Sequence, residues 1–243
     1  VWQREGIMAK EFRIVAETEV DGTPEQVFDA VTRRNAGWLW PMEIEPRRGG
    51  TGPFGSTVTV WEPPHRFANH VDGEGGFFND LDYQLDERAG GKTGVHYVHS
   101  GVFFEDWDRN YDGARQHTDF YQHTLGQYVK FFAGADAVFA DVQGPDSSGA
   151  ADAFEAVKRE LGVASVGQSL HLAVAGVPAE EAIVDYLATS FLGLRTPTAM
   201  YRFFGRNAFG SVVGMTVHLF APGADGEAAG AAWRAWLDGL YAT

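Results

Sequence analysis

The sequence predicts an α+β fold: a strongly curved antiparallel sheet around one long helix, followed by a smaller unit of the same class. Three observations lead there. The run "EFRIVAETEV" alternates apolar and polar residues, then stops at Asp21-Gly22, where "TPEQVFDAV" turns at once into a helix. Between residues 44 and 100, strand-like runs are separated by turns too short to hold a crossover helix. From Trp107 to Phe132, apolar and aromatic residues recur at spacings of three and four.

The first strand places Phe12, Ile14, Ala16, Thr18 and Val20 on one face and Arg13, Glu17 and Glu19 on the other. Thr23 then caps a helix with Pro24 and Glu25 in its first turn and Gln26 at the capping-box position. Its stripe is Val27, Phe28, Ala30 and Val31. "AGWLWPM" reads as a short helix or a turn. Strands are expected at Ile44–Arg48, Ser56–Trp61, Arg66–Val71, Phe77–Leu85 and Thr93–Ser100, divided by "GGTGPFG", "EPPH", "DGEGG" and "ERAGGK". The long helix closes this first unit, residues 10–133.

Residues 134–165 read as a connector, "GPDSSGAAD" being its exposed part, with a short helix from Ala153 to Leu161. Residues 166–243 read as a smaller α+β unit. Strands are expected at Ser169–Val174, Thr198–Phe204 and Ser211–Phe220, a helix over "VPAEEAIVDYLATSFL", and a final helix from Gly226 to Leu240 facing inward through Trp233, Trp236, Leu237 and Leu240. "VAGVPAEEAIVDYL" echoes "VDGTPEQVFDAV", so this unit is either a degenerate repeat that lost strands or an unrelated extension. A stretch this short needs to pack on the first unit or on another chain, a homodimer included.

Composition narrows the function classes. Apolar residues make up 44% and aromatic residues 14%, with seven Trp and eighteen Phe, which is enough for a sizeable core. Thirty-three acids against nineteen bases give a formal charge of -14, which repels nucleic acid and anionic membrane surfaces alike. With no cysteine, disulfides, thiol catalysis and cysteine-ligated metals are excluded. No apolar run reaches the roughly 18 residues of a membrane span. "VWQREGIMAK" lacks a signal-peptide core, and Met8 is a candidate initiator, so a cytoplasmic location is expected.

No catalytic or phosphate-binding motif is present, and "GGTGPFG" reads as a turn. His96 and His99 lie three apart in a strand and point to opposite faces. His117 and His123 diverge on a helix, and His65 and His70 differ in parity, so neither a metal site nor a cofactor is expected. His99 beside Asp80, Asp82, Asp106 or Asp108 is a candidate acid-base pair, weighed against an ordinary structural hydrogen bond. The aromatics offer the stronger lead. Trp61, Phe67, Tyr83 and Tyr97 on strands, His99 with them, and Tyr121 and Tyr128 on the long helix are candidates to line a pocket for a flat or amphipathic molecule, with core packing as the alternative.

"EVDGTPEQVFDAVT", "GWLWPMEIEPRRGG", "GPFGSTVTVWEPPHRF" and the long helix, covering residues 10 to 133, resemble the START/birch-allergen-like (SRPBCC) superfamily. Within it they are most similar to the branch related to the C-terminal domain of the activator of the ninety-kilodalton heat-shock chaperone. The matching positions are Pro24, Val27, Trp40, Gly49-Gly50, and Trp61 with Pro63-Pro64. The resemblance implies a helix-grip fold with a cavity between sheet and long helix. It further implies carriage of a small hydrophobic or aromatic molecule, with a chaperone-activator-like interaction role and a cyclase- or hydrolase-like enzyme as alternatives.

Overall fold

β1 (Lys10–Val20) buries Phe12, Ile14 and Val20 and exposes the charged residues between them. The computed structural model in which it is seen describes residues 9–242, so the expectation about Met8 falls outside the described residues. β1 stops at Val20, and the turn after it runs so close to Val129 that a Cβ at Gly22 would lie 2.3 Å from its Cγ1, which leaves room for glycine alone. α1 (Pro24–Thr32) follows with the expected capping box: Gln26 N–H donates to Thr23 Oγ1 (3.4 Å) and Thr23 N–H to Gln26 Oε1 (2.9 Å).

Contacts divide the chain into two units, one of residues up to 35 and 41–134, the other of residues 36–40 and 135–243. In the first, β2 (Thr57–Glu62), β3 (Arg66–Asp72), β4 (Phe78–Arg88) and β5 (Lys92–Phe103) form an antiparallel meander, and β5 returns to pair with β1. The sheet order is β1-β5-β4-β3-β2. α2 (Trp107–Phe132) closes the unit over the span that the spacing predicts. The strand expected at 44–48 does not form. Pro46 has no N–H to give a ladder, and the segment turns on itself instead: Glu45 N–H bonds Thr51 O, Arg47 N–H bonds Glu45 O and Gly50 N–H bonds Arg47 O.

The second unit starts earlier than the sequence reading placed it. Residues 138–143 are not connector but form β6 (Val138–Gln143), which pairs with the last strand of this unit. α3 (Ala153–Glu160) follows, then β7 (Ser169–Leu172), β8 (Glu180–Leu187), β9 (Phe191–Arg195), β10 (Ala199–Gly205), β11 (Val213–Leu219) and α4 (Gly226–Leu240). The six strands are antiparallel in the order β6-β11-β10-β9-β8-β7. Both units therefore run strand, helix, meander, long helix, and in both the first strand pairs with the last. The second unit's sheet has six strands and the first unit's five.

The helix expected over residues 177–192 is also corrected: β8 and β9 occupy most of it. Ala182, Val184 and Asp185 are buried and Ile183 partly so, because both faces of this part of the strand are covered. Its near-continuous burial mimics a helical stripe, and Pro178-Ala-Glu-Glu mimics a helix start. The core lies between this sheet and its helices, where Tyr201, Phe203, Val217 and Leu194 meet Trp233 and Leu237 of α4. Tyr201 and Phe203 stand 5.1 and 5.5 Å from the Trp233 ring. Each such side chain contributes roughly 1.5–3 kcal/mol on burial. Among the described residues, no helix is long and apolar enough to cross a membrane.

Candidate functional site

In the first unit, strand parity puts odd-numbered residues of β4 and β5 on the inner face. There Tyr83 and Tyr97, register partners, pack at 4.6 Å with their rings tilted by 42°. The Tyr83 hydroxyl accepts from Gln122 Nε2 of α2 at 3.4 Å. His99 follows two residues on, 6.5 Å from the Tyr97 ring and edge-on to Phe12 at 5.0 Å. Burial raises both phenols, and Tyr83 and Tyr121 add to the rise at Tyr97. Trp61 packs separately with Phe67 (6.0 Å) and Phe28 (5.2 Å), while Tyr128 is buried on α2. The structure thus gathers Tyr83, Tyr97, His99 and Tyr121 into one group and Trp61 with Phe67 into another. None of the seven lines any of three surface concavities of this unit, of about 290, 300 and 320 Å³.

Among the described residues, His99 has no carboxylate hydrogen-bond partner. Its Nε2 lies 2.7 Å from Asn79 Oδ1. An amide oxygen accepts, so Nε2 carries the proton and Nδ1 keeps its lone pair. Burial lowers this imidazole to about 4, slightly offset by Asp80. A group so weak is poorly matched to general-base work near neutrality. Asp80 is engaged on the other face by His70 Nδ1 at 2.5 Å, and Asp82 by Arg66 in a bidentate pair at 3.1 and 2.8 Å. The acid-base pairing considered for His99 is therefore replaced by an imidazole–amide pair.

The second unit holds a cleft of about 360 Å³ that the sequence reading missed. Three segments build it: the Gly176-Val177-Pro178 loop leading into β8, the end of the β10–β11 hairpin, and the Ala221-Pro222-Gly223 loop leading into α4. Glycines 176 and 223 take positive φ (83° and 72°), which lets each loop turn sharply. Val177, Pro178, Leu219 and Pro222 supply apolar wall. Polar groups are few. Glu180, the first residue of β8, has its Oε1 held by the Thr198 hydroxyl at 2.8 Å. Asp225 caps α4 by accepting from Ala228 N–H at 3.0 Å.

Tyr201 reaches this cleft from the inner face of β10 with its ring against Trp233. It is 2% exposed, and its hydroxyl has no hydrogen-bond partner among the described residues. Burial, reinforced by Glu180, pushes the phenol up to about 12, so it stays protonated. The signals were present in the sequence as two Gly/Pro loops, "GVP" and "APG", far apart along the chain. Reading residues 177–192 as a helix hid the position of Glu180 at a sheet end.

A polar cluster lies on the opposite face of the same sheet. Arg202 makes a bidentate pair with Asp185 at 2.5 and 3.0 Å. His218 Nδ1 lies 2.8 Å from Ala36 O, a carbonyl that can only accept, so its Nε2 accepts from the Thr216 hydroxyl at 3.0 Å. Trp40 Nε1 donates to Asp141 Oδ2 at 3.3 Å, and its ring stacks with Phe204 at 6.4 Å. These bonds tie residues 36–40 into the second unit.

No protein-family model matches the chain, and no curated protein matches it. Among solved structures, CalU16 from Micromonospora echinospora is 17% identical over 50% of this chain and 86% of its own, with a TM-score of 0.40. MLL2253 from Mesorhizobium loti is 20% identical over 49% and 97%, with a TM-score of 0.39. DynU16, a protein in the dynemicin biosynthetic locus, is 14% identical over 94% of this chain and 96% of its own, with a TM-score of 0.41.

Proposed function

We propose that the protein binds a small, mainly apolar molecule in the cleft of its second unit. One observation carries the reading: Tyr201, its ring buried and its hydroxyl without a hydrogen-bond partner among the described residues, borders an apolar-walled cavity of about 360 Å³. Ligand sites are typically cavities of roughly 300–1,000 Å³ with apolar walls and a few convergent polar groups. The Tyr201 oxygen opens on the cleft rather than on closed protein interior, so a ligand donor or acceptor can pair with it.

We further assign both units to a helix-grip arrangement of the START-like kind. The support is topological: in each unit the first strand pairs with the last, and the closing helix follows that last strand. In the second unit, the cleft then sits at the mouth between sheet and closing helix.

Equilibrium dialysis against a mixed set of small aromatic and alicyclic compounds tests the binding reading, comparing the native chain with Ala228→Trp. Ala228 is exposed and lines the cleft, so an indole there fills the space. The expected result is saturable retention by the native chain and its loss in the variant. Retention that the variant leaves untouched places binding elsewhere, and retention by neither chain removes the reading.

A further inference from the structure

We infer that the molecule bound in this cleft carries a positive charge, and that it is a small apolar amine. This rests on the reading of the cleft as a ligand site and adds its chemical class. The lining contains two acids, Glu180 and Asp225, and no Lys, Arg or His. Neither acid has an ion-pair partner among the described residues, whereas Asp82, Asp29 and Asp185 are each matched by an arginine. Of the Glu180 carboxylate, Oε1 takes the Thr198 hydroxyl and Oε2 is left over. Of the Asp225 carboxylate, Oδ1 takes the Ala228 N–H and Oδ2 is left over.

With the Tyr201 oxygen, three acceptors border one cavity, and an ammonium group has three donors and no acceptor. The apolar wall of Val177, Pro178, Leu219 and Pro222 suits the rest of such a molecule. An anionic ligand fits badly. It meets two acids with no cation to offset them, and the α4 N-terminus, worth about half a positive charge, already spends its first turn on Asp225. A metal ion fits badly too. Calcium takes roughly six to eight oxygen ligands, and no group of three potential ligands gathers among the described residues.

The test titrates the full chain with three probes of similar size: phenethylamine, 2-phenylethanol and phenylacetate. Phenethylamine is expected to bind about tenfold or more tighter than 2-phenylethanol, since hydrogen bonds to charged groups exceed neutral ones by that order. Phenylacetate is expected to bind weakest. Glu180→Gln is expected to cut the amine-to-alcohol affinity ratio about tenfold. Should that variant misfold, Asp225→Asn keeps an oxygen to cap α4 and is expected to lower the same ratio. Phenylacetate binding as well as phenethylamine, or a ratio unchanged in a folded variant, overturns the inference while leaving the cleft as a binding site. If none of the three binds, the cleft reading falls and the inference with it.

Discussion

Arg202 and Gly193 are register partners on β10 and β9, and the absence of a side chain at 193 is what lets Arg202 reach Asp185. A Cβ at 193 would lie 2.1 Å from Arg202 Nη1 and 2.3 Å from Asp185 Oδ1. The pair is almost fully buried, at 1% and 3% side-chain exposure. Removing one partner of a buried pair costs about 3–5 kcal/mol, while replacing both by apolar groups is often near neutral. Gly193→Ala and Arg202→Met should each destabilise by about 3 kcal/mol or more. Arg202→Met with Asp185→Leu should recover most of that loss in urea unfolding. A double variant no more stable than Arg202→Met would contradict this account of the pair.

Trp233 is fully buried at the centre of the second core, and its Nε1 has no hydrogen-bond partner among the described residues. Trp233→Phe keeps most of the ring contacts and deletes the unpaired donor, so it should cost less than about 1.5 kcal/mol. Trp233→Ala should cost about 3–5 kcal/mol. Equal losses for the two, measured by denaturant midpoint at unchanged slope, would mean that the N–H has a partner after all.

The turn from β1 into α1 concentrates two devices in two residues. Thr23→Ala removes the cap and should cost about 1 kcal/mol. Gly22→Ala should cost more, because its Cβ meets the β-branched Val129 at 2.3 Å. Pairing Gly22→Ala with Val129→Ala should restore part of the loss; failure of that rescue would place the strain in the backbone.

Two histidines are held neutral by burial. His99 is lowered to about 4, and His218 to about 3 despite its bond to Ala36 O. An unfolded histidine titrates near 6.5, so between about 6.5 and 4 the unfolded chain binds more protons than the folded one. Stability should therefore be full above about pH 6.5 and fall as pH drops, by up to about 1.4 kcal/mol per pH unit per histidine. His70 works in the opposite sense, raised first by its bond to Asp80 and then by Asp72, so its contribution fades as pH rises. Its side chain is 35% exposed, which screens the effect. Urea unfolding at a series of pH values should show a shallower acid slope in His99→Gln. An imidazole resonance of His99 titrating near 6.5 would contradict its burial.

Much of the fold was legible because local signals and tertiary packing agree. The helices 107–132 and 226–240 were read with their observed bounds, from spacing alone. Strands went wrong where both faces are buried. β8 shows no alternation to read, since Ala182, Ile183, Val184 and Asp185 face either the core or its polar reverse side. The edge strand β6 was lost to the polar Asp141 and Gln143 on its outer face. The cleft was illegible for another reason: Glu180, Tyr201 and Asp225 come together through strand order, which no spacing along the chain reveals. The inner-face group of Tyr83, Tyr97 and His99 was readable, because it follows from parity in one hairpin.

The central claim is that a ligand enters the second unit between residues 176–180, 198–201 and 221–229. Amide chemical shifts of the labelled full chain, followed while 2-phenylethanol is added, test it most directly. Saturable shifts confined to those three segments are expected, with Tyr83, Tyr97 and His99 unmoved. Saturable shifts centred on Tyr83, Tyr97 and His99, or none that saturate, would contradict it.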